Sequence, residues 1–416
     1  MDFDRMPDHI CVKIFQHLPP NELVRAGRVS RRFEQISEWA ISKLKEFNVA
    51  DKMFQKMNLK SMKKIAQLFA RNLQTIIYKE YYSSPEFKSI MQKRLTVLSK
   101  HQLSRLNQLF LWHNDFKLDA ALCSLLANSP NLRHLDWVVL LAARDVTFPN
   151  VVCPSLESVS IHHGGSKFFE SLVAKCPRLK RIYLNTMLES VGKRWEDVLN
   201  KAATRLPLIE ELRMKMNPLD DFDFGKVPNL WKSTHLRSLQ LVHDQTSNAL
   251  VELISTSFPQ LEQLDLYCRS ITGSGLSRLS RLKYLRTLRL IFYPQGDDDD
   301  RDWGIRQLAF NCCMLQDVYI DHHAVLRVAT VKEFVMRCRQ LEKICVVRVA
   351  DLETKDDAVR FVNSLVGFPQ RNIKVCLLNT NKNLWKSAAV RRAICRVNEQ
   401  ADGRSILVDE QDFLQR

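Results

Sequence analysis

Two pairs of adjacent histidines, His162-His163 and His322-His323, and an acidic run, Asp297–Asp300 with Asp302, are the residues whose types best suit chemistry. Imidazoles suit zinc and clustered carboxylates suit calcium. Neither pattern carries through. Neighbouring side chains on a strand point to opposite faces, so adjacent histidines there do not converge on one ion. No carboxylate or cysteine stands beside them at metal-site spacing. The acidic run lacks the spaced ligands and turn glycine of a calcium loop, and reads as a solvated loop. Eleven cysteines are an odd count with no Cys-x-x-Cys pair. That argues against a disulfide framework or zinc ribbon and for a reducing compartment, cytoplasmic or nuclear. The sequence has no Gly-x-x-x-x-Gly-Lys-Ser/Thr, Gly-x-Gly-x-x-Gly, Gly-x-Ser-x-Gly or His-Glu-x-x-His. No nucleophile–base pair can be named, and no cofactor or metal is expected. The chain reads as a binding protein rather than an enzyme.

The elements that must position its binding residues are repeats. Leu106-x-x-Leu109-x-Leu111-x-x-Asn114 sets a spacing that recurs, with Ile, Val, Met or Trp allowed. Further copies are Leu132/Leu135/Trp137, Leu156/Val159/Ile161, Leu179/Ile182/Leu184, Ile209/Leu212/Met214, Leu236/Leu239/Leu241, Leu261/Leu264/Leu266, Leu285/Leu288/Leu290, Leu315/Val318/Ile320 and Leu341/Ile344/Val346. Their first positions lie 26, 24, 23, 30, 27, 25, 24, 30 and 26 residues apart, so one unit repeats down the chain. Weaker copies are expected at Leu44/Phe47/Val49, Leu73/Ile76/Tyr78, Ile373–Leu378 and Ile406–Val408. Pro130, Pro154, Pro177, Pro207 and Pro259 each stand two residues before a first position. Proline cannot continue a helix, so it ends the helical return and releases the chain into the next strand. Cys153, Cys176, Cys312 and Cys338 stand one place earlier and read as small buried hydrophobes. One strand-plus-helix unit cannot bury its apolar face alone, whereas a stack makes a continuous core. The ladder Asn of such repeats is kept at Asn114 and Asn217 but mostly missing elsewhere.

Period-two alternation turns the intervening strand residues outward. The central outward row is Phe110, Asp136, Ser160, Tyr183, Arg213, Gln240, Asp265, Arg289, Tyr319 and Cys345. The adjoining row is Trp112, Val138, His162, Asn185, Lys215, Val242, Tyr267, Ile291, Asp321 and Val347. Aromatic and Arg side chains are over-represented at interface hot spots. Trp112, Tyr183, Arg213, Lys215, Tyr267, Arg289 and Tyr319 are therefore the expected contacts for a protein substrate.

Residues 6–40 read as three short helices. Pro7 opens the first, Ile10, Ile14, Phe15 and Leu18 follow at helical spacing, and Pro19-Pro20 stops it. Asn21 is expected to cap the second, which carries Leu23, and the third begins near Ser30. About 40 residues bury too little to stand alone, so leftover apolar groups imply a partner helix or the neighbouring repeats.

The segment MPDHICVKIFQHLPPNELVRAGRVSRRFEQIS closely resembles an F-box. Met6-Pro7, Ile14-Phe15, Leu18, Glu22-Leu23 and Val29-Ser30-Arg31-Arg32-Phe33 occupy the family's positions. Met6, His9 and Phe33 depart from its usual Leu, Glu and Trp. Leu261–Leu279 is similar to the cysteine-containing leucine-rich repeat of F-box proteins, with Cys268, Ile271-Thr272 and Gly275-Leu276 in order. The resemblance implies an α/β leucine-rich-repeat solenoid, a horseshoe, with an N-terminal all-α F-box. It also implies a non-catalytic substrate receptor of an SCF-type cullin-RING ubiquitin ligase. Pro7, Ile10, Ile14, Phe15, Leu18, Pro19 and Leu23 would dock on the Skp-type linker protein, and through it a cullin. The repeats would hold a protein substrate. The alternatives are a self-contained helical cap on the solenoid, a scaffold without ubiquitination, and a nucleic-acid-binding repeat protein.

The last alternative rests on charge. The net charge is +16, from 62 basic and 46 acidic residues. Residues 43–105 carry 14 basic side chains against Glu46, Asp51, Glu80 and Glu86, with Phe54, Phe69, Tyr78, Tyr81 and Tyr82 among them. An acidic partner is one reading and a solvated helix face the other. No RNA-binding motif occurs, so nucleic acid ranks below protein as a partner. No run of about 18 apolar residues suggests a membrane span. The expected organisation is an F-box over 1–42, a basic spacer with the first irregular repeats over 43–105, repeats over 106–350, and C-terminal repeats and cap over 351–416.

Overall fold

The computed structural model of the chain describes residues 6–49, 58–79, 85–113, 119–139, 147–163, 165–186, 194–216, 222–244, 246–293, 298–349, 351–352, 354–365, 373–377, 389–391, 393 and 406–408. The chain divides into two units, Met1–Glu189 and Ser190–Arg416.

The first unit opens with α1 (Asp8–Phe15), α2 (Pro20–Ala26) and α3 (Arg31–Ser42). Helix α1 ends at Phe15, short of the expected Leu18. Its last amides turn tighter, with His17 donating to Ile14 O and Leu18 to Phe15 O. Asn21 is not the cap of α2. Pro19 takes that place with extended backbone, and Pro20 follows at the first helical position, where its missing N–H costs nothing. Ser30 caps α3 as expected, its Oγ accepting from the Phe33 amide at 3.2 Å. Phe15 and Phe33 meet edge to face, 5.3 Å between centroids, and join α1 to α3.

Strands and helices then alternate through β1 (Glu46–Asn48), α4 (Leu59–Phe69), β2 (Thr75–Lys79), α5 (Pro85–Leu98), β3 (Gln108–His113), α6 (Asp119–Ala127), β4 (His134–Val139), β5 (Ser158–His162), α7 (Ser166–Lys175) and β6 (Arg181–Asn185). Each of these strands pairs in parallel with the next.

The second unit repeats the scheme. It comprises α8 (Arg194–Arg205), β7 (Glu211–Lys215), β8 (Ser238–Val242), α9 (Asn248–Ser257), β9 (Gln263–Cys268), α10 (Gly273–Arg278), β10 (Thr287–Phe292), α11 (Asp298–Asn311), β11 (Asp317–Leu326), α12 (Val328–Arg337), β12 (Lys343–Val349), α13 (Lys355–Leu365), β13 (Ile373–Leu377) and β14 (Ile406–Val408). Its strands are again parallel and in sequence order. This is the parallel β/α architecture of a leucine-rich-repeat solenoid, with a helical module at its N-terminus.

All three inward residues of all ten repeats are at most 3% exposed. Each repeat begins with a four-residue turn. Ser129, Cys153, Cys176, Leu206 and Phe258 carbonyls accept from the first-position amides of Leu132, Leu156, Leu179, Ile209 and Leu261 at 3.0–3.4 Å. The prolines occupy the second place of these turns, where their fixed φ suits the bend. Cys312 and Cys338 open the same turn before Leu315 and Leu341. The next strand is pinned in register by a forked bond. Amides of Arg133 and His134 share Asn107 O, and those of Arg286 and Thr287 share Glu262 O. The ladder residues Asn114 and Asn217 lie outside the described residues, as does most of 366–416.

Two expectations fail. The acidic run is not a solvated loop: Asp299, Asp300 and Asp302 lie in the opening turns of α11, where carboxylates suit the positive end of a helix. Asp300 accepts from the Gly273 amide at 2.5 Å and Asp302 from the Arg327 amide at 2.9 Å, so the run stitches α11 to both neighbouring repeats. Asp297 lies outside the described residues. His163 is not a strand residue either. It leaves β5 with φ 61° and donates its amide to Asn185 O. His322 and His323 fall where β11 shifts register against β12, and their side chains lie outside the described residues.

Candidate protein-interaction surfaces

The helical module sorts its expected docking residues into two sets. Phe15 and Leu23 are buried, at 4% and 2% exposure, and build the module's own core rather than its surface. Pro7 and Ile14 are exposed, and Ile10, Leu18 and Pro19 half-exposed. Val29 at 72% and Trp39 at 41% exposure join them, although sequence reasoning had not placed them on a docking face. Their signal was an apolar residue on an outer face of a module with no spare core.

The module is seated on the first repeat helix. Lys64 of α4 reaches Glu34 at 2.7 Å and Glu38 at 2.9 Å on α3, and Asn72 donates to Ser42 O at 2.8 Å. The Lys64 ammonium holds the Glu34 carboxyl below its ordinary pKa. A cavity of about 340 Å³ lies beneath this contact, among Leu23, Ile41, Ile65 and Leu68.

On the first unit, Phe110, Asp136, Ser160 and Tyr183 stand side by side on β3–β6, as alternation requires. Trp112 is half-buried, with the Lys79 ammonium 4.0 Å from its ring centroid. Tyr183 meets His162 edge to face at 5.0 Å. The His162 Nε2 atom faces Ser160 Oγ at 3.1 Å and Asp136 Oδ1 at 3.7 Å. A serine–histidine–carboxylate relay needs the carboxylate on the opposite ring nitrogen, and here one nitrogen serves both neighbours. Burial holds the His162 imidazole below its ordinary pKa, so it is neutral at neutral pH.

On the second unit, Arg213 is exposed and paired with Glu211 at 2.5 Å. Lys215 and Tyr267 are half-buried. Gln240 donates to Asp265 at 2.7 Å, and the Arg289 guanidinium lies 4.8 Å from the Tyr319 ring centroid. Burial pushes the Asp265 carboxyl above its usual pKa, with Arg289, Gln240 and Arg213 opposing. Burial and the neighbouring Asp321 push the Tyr319 phenol up. Cys345 sits at an outward position yet is fully buried, and Val347, Ile291 and Asp321 at outward positions are buried as well. The register partner of Cys345 on β13 is Cys376, also buried.

Among the described residues, no three His, Cys, Asp or Glu gather where they could hold a metal. No helix there is long and apolar enough to cross a membrane.

The fold is that of a leucine-rich-repeat protein with an N-terminal helical module, and family comparisons give the module its name. Residues 3–39 match the F-box-like family model, and residues 84–227 match the family described as FBD-associated F-box protein At5g56370, LRR repeats. The chain therefore carries an F-box-like domain at its N-terminus followed by leucine-rich repeats of an F-box-associated type. No curated protein matches it in sequence. Among solved structures it is similar to an internalin from Listeria monocytogenes, at 13% identity over 80% of this chain and 93% of that one, with a TM-score of 0.44. It is also similar to a chain of the Rad7 and Elc1 complex of yeast, at 14% identity over 92% of each chain, with a TM-score of 0.42.

Proposed function

We propose that this chain is the substrate-recognition adaptor of an SCF-type cullin-RING ubiquitin ligase. Its F-box would dock on a Skp-type linker protein, and the outward strand faces would bind a protein substrate. The observation that carries the reading is an F-box-like domain whose exposed apolar side chains, Ile14, Val29 and Trp39, have no core of their own to fill. In this role the chain does no chemistry. It brings a substrate to ubiquitin transfer performed by other subunits. Residues 1–42 act as the linker-binding domain and the repeats as the receptor.

The nucleic-acid reading loses ground at the same scale. Several cations of residues 43–105 are engaged within the chain. Arg94 is buried and donates to Val49 O at 3.2 Å, Lys64 binds two glutamates, and Lys79 rests on Trp112. Affinity purification of the full chain tests the adaptor reading. A Skp-type linker and a cullin should be captured, and Leu18→Arg should lose both while retaining proteins held by the repeats. Capture of ribonucleoproteins instead, released steeply by salt, would favour the alternative.

A further inference from the structure

Parallel strands in register make the outward face of β2–β6 a grid, and Asp136 stands near its centre. Phe110 and Ser160 lie beside it on neighbouring strands, and Trp112 and His162 lie on the diagonals. The Asp136 side chain is 15% exposed, so it faces solvent through a narrow opening. Burial raises its pKa, and the charge of the nearby Lys79 works against that rise. A largely buried carboxylate with the aromatic side chains of Phe110 and Trp112 on the neighbouring strand offers a cation two attractions, the carboxylate charge and the ring quadrupoles. The structure already shows this attraction at work, because the Lys79 ammonium sits 4.0 Å from the Trp112 ring centroid. His134 and His162 add no opposing charge at neutral pH, since burial holds both imidazoles low.

We propose that this cup is a subsite for a basic side chain of the protein substrate, an arginine or lysine seated against Trp112 with Asp136 as counter-ion, and that Lys79 is the internal cation it displaces. The inference rests on the adaptor reading for the existence of a substrate, but its test does not require the linker. Lys79 separates a cation site from an anion site. If the cup takes a cation, Lys79 competes with the ligand. If it takes an anion, Lys79 is the anchor. The chain's net charge of +16 works against any basic ligand, so selective binding of one at this point is a local property.

The experiment uses the full chain labelled with 5-fluorotryptophan, with the Trp112 resonance assigned from Trp112→Phe. The probes are the peptide amides acetyl-Gly-Arg-Gly and acetyl-Gly-Glu-Gly. The Trp112 resonance should shift with the arginine peptide and stay still with the glutamate peptide. Asp136→Asn should weaken the arginine titration at least tenfold, Asp136→Glu should restore part of it, and Lys79→Met should tighten it several-fold. Thermal melts of each variant exclude misfolding as the cause. No shift with the arginine peptide, in a chain that still binds the linker, overturns the subsite and leaves the adaptor reading standing. A shift with the glutamate peptide that Lys79→Met abolishes overturns it in favour of an anion site. An arginine-selective shift in a chain that fails to bind the linker keeps the subsite and sinks the adaptor reading.

Discussion

Leu264 and Tyr267 lie three residues apart on β9 and should respond to truncation in opposite ways. Leu264 is 1% exposed, and Leu264→Ala should cost about 2–5 kcal/mol through the cavity it leaves. Arg213 and Tyr267 face outward, where a substitution shifts stability by about 0.5 kcal/mol or less while loss of a binding hot spot costs about 2 kcal/mol or more. The double variant Arg213→Ala/Tyr267→Ala should therefore melt like the parent and lose its substrate in a pull-down. Asp265 carries a pH signature. Its folded carboxyl titrates above the ordinary value of 3.8 because burial penalises its charge. Between that value and the raised one the folded state holds more protons, so its contribution to stability falls as pH rises through this window. Asp265→Asn should remove that slope and raise the melting temperature at pH 7. The difference from the parent should vanish as pH falls toward 3.8. An unchanged melting temperature at pH 7 would show that Arg289 and Gln240 fully offset the burial. For the ten repeat triads, period-two alternation makes the inward direction of the side chains readable. Exposure is not, because Cys345 and Ile291 obey the alternation and are still buried.

Neighbouring helices are held at distances their glycines permit. A Cβ added to Gly273 on α10 would stand 1.8 Å from Asp300 O, and one added to Gly304 on α11 would stand 2.4 Å from Gly273 O. Gly273→Ala should thus push α10 off α11 and break the Gly273–Asp300 bond. Overpacking of this kind costs about 1–3 kcal/mol, measurable as a lower melting temperature with an unchanged F-box. At this scale the sequence was most informative where burial is periodic. The leucine triads fixed the strands, and proline at the second turn position fixed where each begins. It was least informative at helix starts. Asp298–Asp300 read as a loop because an acidic run has no apolar periodicity, yet carboxylates favour a helix N-terminus and here bond adjacent repeats. Residue type alone suits Asn21 as a cap, while the rigid Pro19-Pro20 pair decides the geometry.

Within the second unit each strand pairs with the next, so stability there is a sum of local interfaces, and damage at Leu264 should stay near β9. The F-box belongs to a different balance. Its core residues Phe15 and Leu23 were readable as apolar helical positions, but that spacing did not separate them from the surface set of Ile14, Leu18, Val29 and Trp39. The separation emerges only when α1–α3 pack. That surface set makes the central claim directly measurable. The full chain is mixed with a purified Skp-type linker bound to its cullin and followed by sedimentation velocity. The adaptor account predicts a single complex of the summed mass, and separate species for the Ile14→Asp/Leu18→Arg variant with its repeats still melting normally. A parent chain that sediments alone, or a folded double variant that binds as the parent does, would contradict it.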